Sequence, residues 1–238
     1  MPRARRGAED LDLPSFVPVP RPGGGSRLLA RLPEVDARAY EELVGAALPA
    51  IERALGPEVV ANRALPGPGV RLEPVAAARA RHRAALAALL RARDVRAVLV
   101  LDVADFYPST APVAVERALR WAGGPALAEP LGRLLRSLGE RGVRGLPVGP
   151  EPSAVLANAV LGPLDAALRG AELRHLRWVD DVIAPAPGPD AARRGLDRAF
   201  GALDALGLAA NPRKTRILTE PEEVRAMARW GVPSGPPR

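Results

Sequence analysis

The stretch 96–103, RAVLVLDV, most strongly limits what this chain can fold into. It is a short, continuous apolar run, rich in valine, that contains Asp102 near its end. Such a run is typical of a strand buried on both faces, because a half-buried strand would alternate apolar and polar residues. The sequence therefore predicts a sheet that buries this strand and carries a carboxylate at the strand's end.

The segments around this strand predict an α/β (α+β) fold. Three further strands are predicted at 173–179, 182–186 and 214–219. Helices are predicted at 34–56, 75–93, 111–122, 125–138, 153–168 and 190–206. From residue 96 onward the order is close to βαββαβ, which is typical of an antiparallel sheet with helices on one face.

Composition excludes several classes of protein. The chain has 238 residues and no cysteine, which rules out disulfides, a thiol nucleophile and Cys-ligated zinc. No apolar stretch approaches the roughly 20 residues of a membrane-spanning helix, so we expect a cytoplasmic protein without a membrane partner. The net charge of +7 favours a polyanionic partner, although the excess of arginine also fits a GC-rich coding sequence.

Three carboxylates are placed to meet at one end of the predicted sheet. Asp102 ends a strand, and Asp180-Asp181 occupy the tip of a hairpin. An Asp-Asp pair alone is most often a solvated turn. If the three groups converge, however, they repel one another unless a cation lies between them. Their oxygen ligands favour Mg²⁺ or Mn²⁺, and two such ions are the arrangement that activates a 3′-hydroxyl.

Residues near these carboxylates have types that suit nucleotide chemistry. Phe106 and Tyr107 follow Asp102 closely, and a rigid ring there would exclude a ribose 2′-hydroxyl, although Phe106 also suits the core. The segment 145–150, GLPVGP, would let backbone approach a ligand. Lys214 is the only lysine, and its ammonium can release a proton where Arg cannot, although a chance surface lysine is the alternative.

Together these segments resemble the palm of a reverse transcriptase over residues 96–219. Four motifs occur in the family's order: 102–109 (DVADFYPS), 145–158 (GLPVGPEPSAVLAN), 177–181 (RWVDD) and 207–215 (GLAANPRKT). The forms FYPS and RWVDD most resemble the bacterial abortive-infection and phage-defence reverse transcriptases. Asn62-Arg63 resembles their fingers segment.

The resemblance implies a right-hand polymerase palm with a ferredoxin-like βαββαβ sheet and an RNA-directed DNA polymerase activity. Proline and glycine content predicts a flexible leader (1–27) and a short tail (220–238), and the resemblance assigns the residues between them to small helical fingers (28–95) and the palm (96–219). A helical thumb would be absent or minimal, and a partner protein could supply it. The implied substrates are dNTPs, an RNA template and a DNA primer, with a role in phage defence.

The resemblance also assigns roles to individual residues. Asp102, Asp180 and Asp181 would be catalytic and hold two Mg²⁺ ions, or Mn²⁺, with Lys214 as general acid. The residues implied in nucleotide binding are Arg63, Asp105, Phe106, Tyr107 and Gly149.

Two other functions remain open at this stage. Val148 stands where many members of the family have Gln, which leaves room for template-independent or protein-primed DNA synthesis. A non-catalytic RNA-binding module is the alternative of another class, although such a module has no physical reason to keep three clustered carboxylates. The oligomeric state is not indicated by the sequence.

Overall fold

The computed structural model describes residues 13–20, 25–92 and 94–230. The strands are β1 (Ser15–Pro20), β2 (Ser26–Arg31), β3 (Ala97–Asp102), β4 (Leu176–Trp178), β5 (Asp181–Ala186) and β6 (Arg216–Leu218). The helices are α1 (Glu34–Ala54), α2 (Val75–Leu90), α3 (Phe106–Ser109), α4 (Pro112–Trp121), α5 (Pro125–Glu140), α6 (Glu151–Val160), α7 (Gly162–Gly170), α8 (Pro189–Ala205) and α9 (Pro221–Trp230).

The apolar run forms β3, and every residue of this strand is buried, as predicted. β3 pairs antiparallel with β5 on one side and with β6 on the other, and β4 pairs antiparallel with β5. The spatial order is β4-β5-β3-β6. Along the chain, helices α3 to α7 separate β3 from β4, and α8 separates β5 from β6.

Helices cover both faces of this sheet, so the prediction that they lie on one face is wrong for α2 and α9. Leu99 and Leu101 belong to the larger core with α1 and α4 to α8, whereas Val98 and Val100 belong to a second cluster. That cluster contains apolar side chains of α2 and α9, including Met227. The physical reason is β3 itself, because a strand that is apolar on both faces needs cover on both.

Part of the segment predicted as a flexible leader is an antiparallel hairpin. Strands β1 and β2 pair from Ser15 opposite Arg31 to Pro20 opposite Ser26. Pro18 and Pro20 are compatible with β1 because a two-stranded ribbon has only edge strands, where a missing N–H is tolerated. The amide of Ala30 donates to the carbonyl of Val148 at 2.8 Å, which attaches the hairpin to the rest of the molecule. Residues 1–12 and 21–24 of the predicted leader lie outside the described residues.

Two other predicted segments differ from the observed elements. The helix predicted at 153–168 begins earlier, at Glu151, and is interrupted at Leu161 before α7 starts with Gly162-Pro163, a position where the missing N–H of proline is tolerated. The predicted C-terminal tail contains α9, which buries Val224 and Met227. Within the described part of the chain, none of the helices combines the length and apolarity needed to cross a bilayer.

Candidate active site

The strand register places Asp102 and Asp181 opposite each other. They form the last aligned pair of β3 and β5, so residues almost eighty positions apart become neighbours at one end of the sheet. Asp180 lies beside them, in the two-residue turn between Trp178 and Asp181, which are themselves paired. The Val103 amide donates to the Asp180 carbonyl at 3.3 Å and extends this pairing beyond the strand.

The closeness of these carboxylates affects their proton affinity. Burial, followed by the charge of Asp180 and a hydrogen bond with Asp102, raises the pKa of Asp181 to about 7. Burial also raises the pKa of Asp180, and the charge of Asp102 adds to the effect. Nearby like charges and desolvation both disfavour ionisation. Asp102, Asp180 and Asp181 therefore place like charges close together at this end of the sheet.

Among the described residues, Lys214 is a cation in direct contact with this cluster of aspartates. The Lys214 ammonium donates to Oδ2 of Asp102 at 2.6 Å. The loop before β6 brings it there, because the Asn211 amide donates to the Asp102 carbonyl at 2.7 Å and the Asp102 amide donates to Oγ1 of Thr215 at 3.4 Å. Hydrogen bonding to Asp102 raises the pKa of Lys214. A single ammonium, 62% exposed, faces three carboxylates.

This donor set fits divalent cations with oxygen ligands. Three carboxylates from two neighbouring strand ends supply hard oxygen ligands, and burial together with neighbouring negative charge raises the pKa of Asp180 and Asp181. The contact of Lys214 with Asp102 shows that a positive charge is accommodated at this point.

A second group of potential ligands, Glu58, Asp165 and His175, is buried between α7 and β4. Here the carboxylates already have cationic partners. Arg177 donates two hydrogen bonds to Asp165, at 2.8 and 2.7 Å, and Arg169 forms an ion pair with Glu58. The arrangement is therefore an ion-pair network in which both carboxylates are already paired with arginine.

Phe106 and Tyr107, two of the residues predicted to contact the nucleotide, lie in different environments. Phe106 is buried in the larger core, with its ring edge-to-face against Tyr107 at 5.6 Å between centroids. Tyr107 is only partly buried, and burial together with the charge of Asp180 raises its pKa to about 12. Tyr107 therefore lies within electrostatic reach of the aspartates, whereas Phe106 supports it from the core.

Asp105 is exposed and adopts a left-handed backbone conformation, with φ of 41°. Its carbonyl accepts a hydrogen bond from the Ser109 amide at 3.0 Å, which stabilises the single turn of α3. Asp and Asn tolerate this conformation better than most residues. The side chain of Asp105 therefore starts from a turn directly after the strand that carries Asp102.

The segment 145–150 lies against both Tyr107 and the β1–β2 hairpin. The Leu146 amide donates to the Tyr107 carbonyl at 2.8 Å, and Gly145 has φ of +62° with no room for a Cβ beside that carbonyl. Gly149, with φ of +122°, packs near Leu29 of β2. These contacts are with the protein's own atoms, so the predicted approach of this backbone to a ligand stays a prediction.

The structure does not bring Arg63 to the aspartates. Its guanidinium donates to Glu52 at 2.8 Å and to the carbonyls of Gly56 and Val59 at 3.1 and 3.2 Å. These bonds fix the end of α1 and the loop that follows it. The predicted phosphate contact of Arg63 stays a prediction.

Arg27 is a site residue that the sequence reasoning missed. It is exposed on β2, and its positive charge lowers the pKa of both Asp180 and Tyr107, although burial outweighs it at each. A signal was present, because two short runs flank a Gly-rich turn at 23–25, a pattern typical of a hairpin. The prolines in the first run favoured a linker instead.

Comparison with known proteins supports a polymerase-like fold. A telomerase from Candida albicans, solved in complex with a fragment of telomeric RNA, is similar to 90% of this chain, with a TM-score of 0.59 and 10% sequence identity. Telomerase is a reverse transcriptase, and at this identity the likeness shows the fold alone. This chain spans 43% of the telomerase chain. No protein-family profile and no curated protein sequence matches it.

Proposed function

We propose that this protein is a reverse transcriptase that adds dNTPs to a primer 3′ end. The observation that carries the proposal is the pairing of Asp102 with Asp181 at one sheet end, with Asp180 beside them and Lys214 in contact. The strand order β4-β5-β3-β6 supports a ferredoxin-like polymerase palm, and the similarity to telomerase supports the same fold class.

The aspartates and Lys214 divide the chemistry between them. Asp102, Asp180 and Asp181 would hold two Mg²⁺ ions. When bound, such ions lower the pKa of a 3′-hydroxyl and stabilise negative charge on a departing pyrophosphate. Lys214, whose ammonium contacts Asp102, would be placed at the same end of the sheet to donate a proton to the departing pyrophosphate.

Other residues at this end of the sheet suit the incoming nucleotide. The Tyr107 ring excludes a 2′-hydroxyl, and its support by Phe106 keeps it in place. Arg27 supplies a positive charge toward the triphosphate from the hairpin side. Asp105 would contribute the turn after β3, and Gly149 would let the backbone approach the incoming base, as the resemblance implies.

A primer-extension assay tests the proposal. The purified protein is given labelled DNA primers on RNA templates, on DNA templates and without a template, in Mg²⁺ and in Mn²⁺. We expect incorporation that follows the RNA template. The double variant D180N/D181N should lose incorporation and keep nucleic-acid binding, since Asn preserves size and removes the ligand charge.

A matched control is Asp190→Asn, which removes an exposed carboxylate paired with Arg193 on α8. It should incorporate dNTPs at the wild-type rate. Products whose sequence ignores the template would favour template-independent or protein-primed synthesis. Nucleic-acid binding without any incorporation in the wild type would favour an RNA-binding module. Activity that survives in D180N/D181N contradicts the assignment of the aspartates.

The remaining expectations concern the biological role of the protein, its cellular location and its protein partner. The role in phage defence, the cytoplasmic location and the protein partner that supplies a thumb rest on the resemblance in the sequence. A defence role predicts that a host expressing the wild type restricts phage growth and that a host expressing D180N/D181N does not.

A further inference from the structure

Arg177 is fully buried beneath the turn that carries the paired aspartates. It is the largest of the fully buried side chains among the described residues, with 0% exposure. All five N–H donors of its guanidinium have acceptors. Nε and one Nη2 proton bind the two oxygens of Asp165 at 2.8 and 2.7 Å, and the second Nη2 proton binds the Asn158 carbonyl at 3.1 Å. The Nη1 protons bind Oδ1 of Asn158 at 3.2 Å and the carbonyl of Val179 at 3.0 Å.

The partners of Arg177 hold its guanidinium plane in one orientation. Asp165 lies on α7 and Asn158 on α6, so both acceptors belong to the helical core rather than to the turn. Asp165 also contacts Nε2 of His175 at 3.1 Å. Burial alone would raise the pKa of Asp165, but Arg177 and His175 together outweigh burial and the pKa is lowered. The ionised carboxylate of Asp165 therefore holds the guanidinium of Arg177, which also donates to the Val179 carbonyl.

Val179 needs such a contact because its backbone conformation is unfavourable. Its φ is 57°, a left-handed value that a β-branched residue rarely adopts. Conformations of this kind persist only where the surrounding structure determines them. The next two residues are Asp180 and Asp181, so the orientation of the Val179 peptide sets where both carboxylates point.

Stability alone gives little reason to keep this arrangement. Taking a guanidinium and a carboxylate out of water costs several kcal/mol, and apolar replacements of a buried ion pair are often neutral or stabilising. The bond from Nη1 to the Val179 carbonyl is the one contact of the Arg177 guanidinium that leads directly to the candidate site.

We propose that Arg177 is a positioning residue that fixes the Val179 carbonyl, so that Asp180 and Asp181 meet Asp102 in a geometry that binds divalent ions. The inference rests on the proposed function. Residues that orient metal ligands without touching the metal typically contribute 10–100-fold to metal affinity. Loss of the contact between Arg177 and Val179 should therefore lower the affinity for divalent ions while the protein still folds.

Two variants of the full chain test this role. Arg177→Lys keeps the charge beside Asp165, but a single ammonium cannot bind Asp165, Asn158 and Val179 together in one plane. R177M/D165L removes both charges, so no buried ion is left unpaired. Thermal unfolding measures the fold, and Mn²⁺ titration followed by electron paramagnetic resonance measures metal affinity without requiring activity.

Binding at the site is defined as the Mn²⁺ binding that the wild type has and D180N/D181N lacks. We expect the Mn²⁺ dissociation constant at this site to rise about tenfold or more in R177K and R177M/D165L, together with the Mn²⁺ concentration that half-saturates dNTP incorporation. Arg169→Lys is the matched control, because Arg169 pairs with the neighbouring Glu58 at the edge of the same network. Its Mn²⁺ affinity should stay within about twofold of the wild type.

The outcomes separate this inference from the proposed function. A wild type without Mn²⁺ binding that depends on Asp180 and Asp181 contradicts the proposed function, and the inference falls with it. A wild type that binds Mn²⁺, with unchanged affinity in R177K, overturns the role of Arg177 alone. If R177M/D165L does not fold, R177K decides the question. An equal loss of affinity in R169K would show a general effect of the network and would also overturn the proposal.

Discussion

The Gly145→Ala substitution tests whether the nearby backbone of Tyr107 and Pro108 leaves room at position 145 only for glycine. An ideal Cβ at Gly145 would lie 2.2 Å from the Tyr107 carbonyl oxygen and 2.7 Å from that of Pro108. Both atoms belong to the backbone, so they cannot move aside as a flexible side chain can. The Tyr107 carbonyl must shift, and the 2.8 Å bond from the buried Leu146 amide is lost.

Gly142→Ala is a matched control within the same loop. Gly142 has φ of +93° with no atom within 4 Å of an added Cβ, so this change introduces only the cost of a left-handed alanine. That cost is about 1–2 kcal/mol and applies to both variants. The unpaired Leu146 amide adds about 1–3 kcal/mol in G145A alone.

Urea unfolding followed by circular dichroism measures the difference. We expect G145A to have a free energy of unfolding about 1–3 kcal/mol below that of G142A, or a midpoint of thermal unfolding lower by about 2–4 °C for each kcal/mol. Equal stabilities for the two variants would refute the reasoning, because they would show that the Tyr107 carbonyl does not confine position 145.

Three further predictions concern charge and buried hydroxyls. Asp181→Asn should stabilise the metal-free protein by about 1–2 kcal/mol above pH 7, a value reduced for the partial exposure of Asp181. Because the folded pKa of Asp181 is raised to about 7, the contribution of this group to wild-type stability falls between pH 4 and pH 7, so a difference between the two proteins that persists at pH 3.5 in thermal melts would contradict this. Lys214→Arg should keep the ion pair with Asp102 yet slow single-turnover incorporation by about 10²-fold, since a guanidinium does not release a proton; wild-type rates would exclude Lys214 as general acid. Tyr40→Phe removes the buried 3.0 Å hydrogen bond to Ser153 and should cost about 1–3 kcal/mol in urea unfolding, with most of it recovered in Y40F/S153A; additive losses would argue against a coupled pair.

Local patterns predicted the elements of this fold well. The run 96–103 contains β3, because six consecutive residues with a single polar side chain are typical of a strand buried on both faces. The predicted helix end at Gly207 is also observed, since α8 ends at Ala205, immediately before Leu206-Gly207. The hairpin β1–β2 and helix α9 were missed, because Pro-rich strands and short terminal helices have weak local signals and are stabilised by the body they pack on.

The sequence identified several residues of the candidate site, but it did not show which residues lie close to them in the folded protein. Asp102, Asp180, Asp181 and Lys214 stood out by position at element ends and by rarity. Arg63 has a suitable charge, yet its partner Glu52 is set by how α1 meets the following loop. Arg27 was missed for the opposite reason, because its closeness to Asp180 arises only when the hairpin docks.

What the sequence determined by itself is most of the strands and helices between residues 34 and 219 and the presence of carboxylates at strand ends, since both follow from patterns over a few residues. Tertiary structure alone decided that Asp102 lies opposite Asp181, that α2 and α9 cover the second face, and that Arg177 reaches the Val179 carbonyl. These contacts join residues on separate elements, so they depend on strand register and helix packing, which local propensity does not specify.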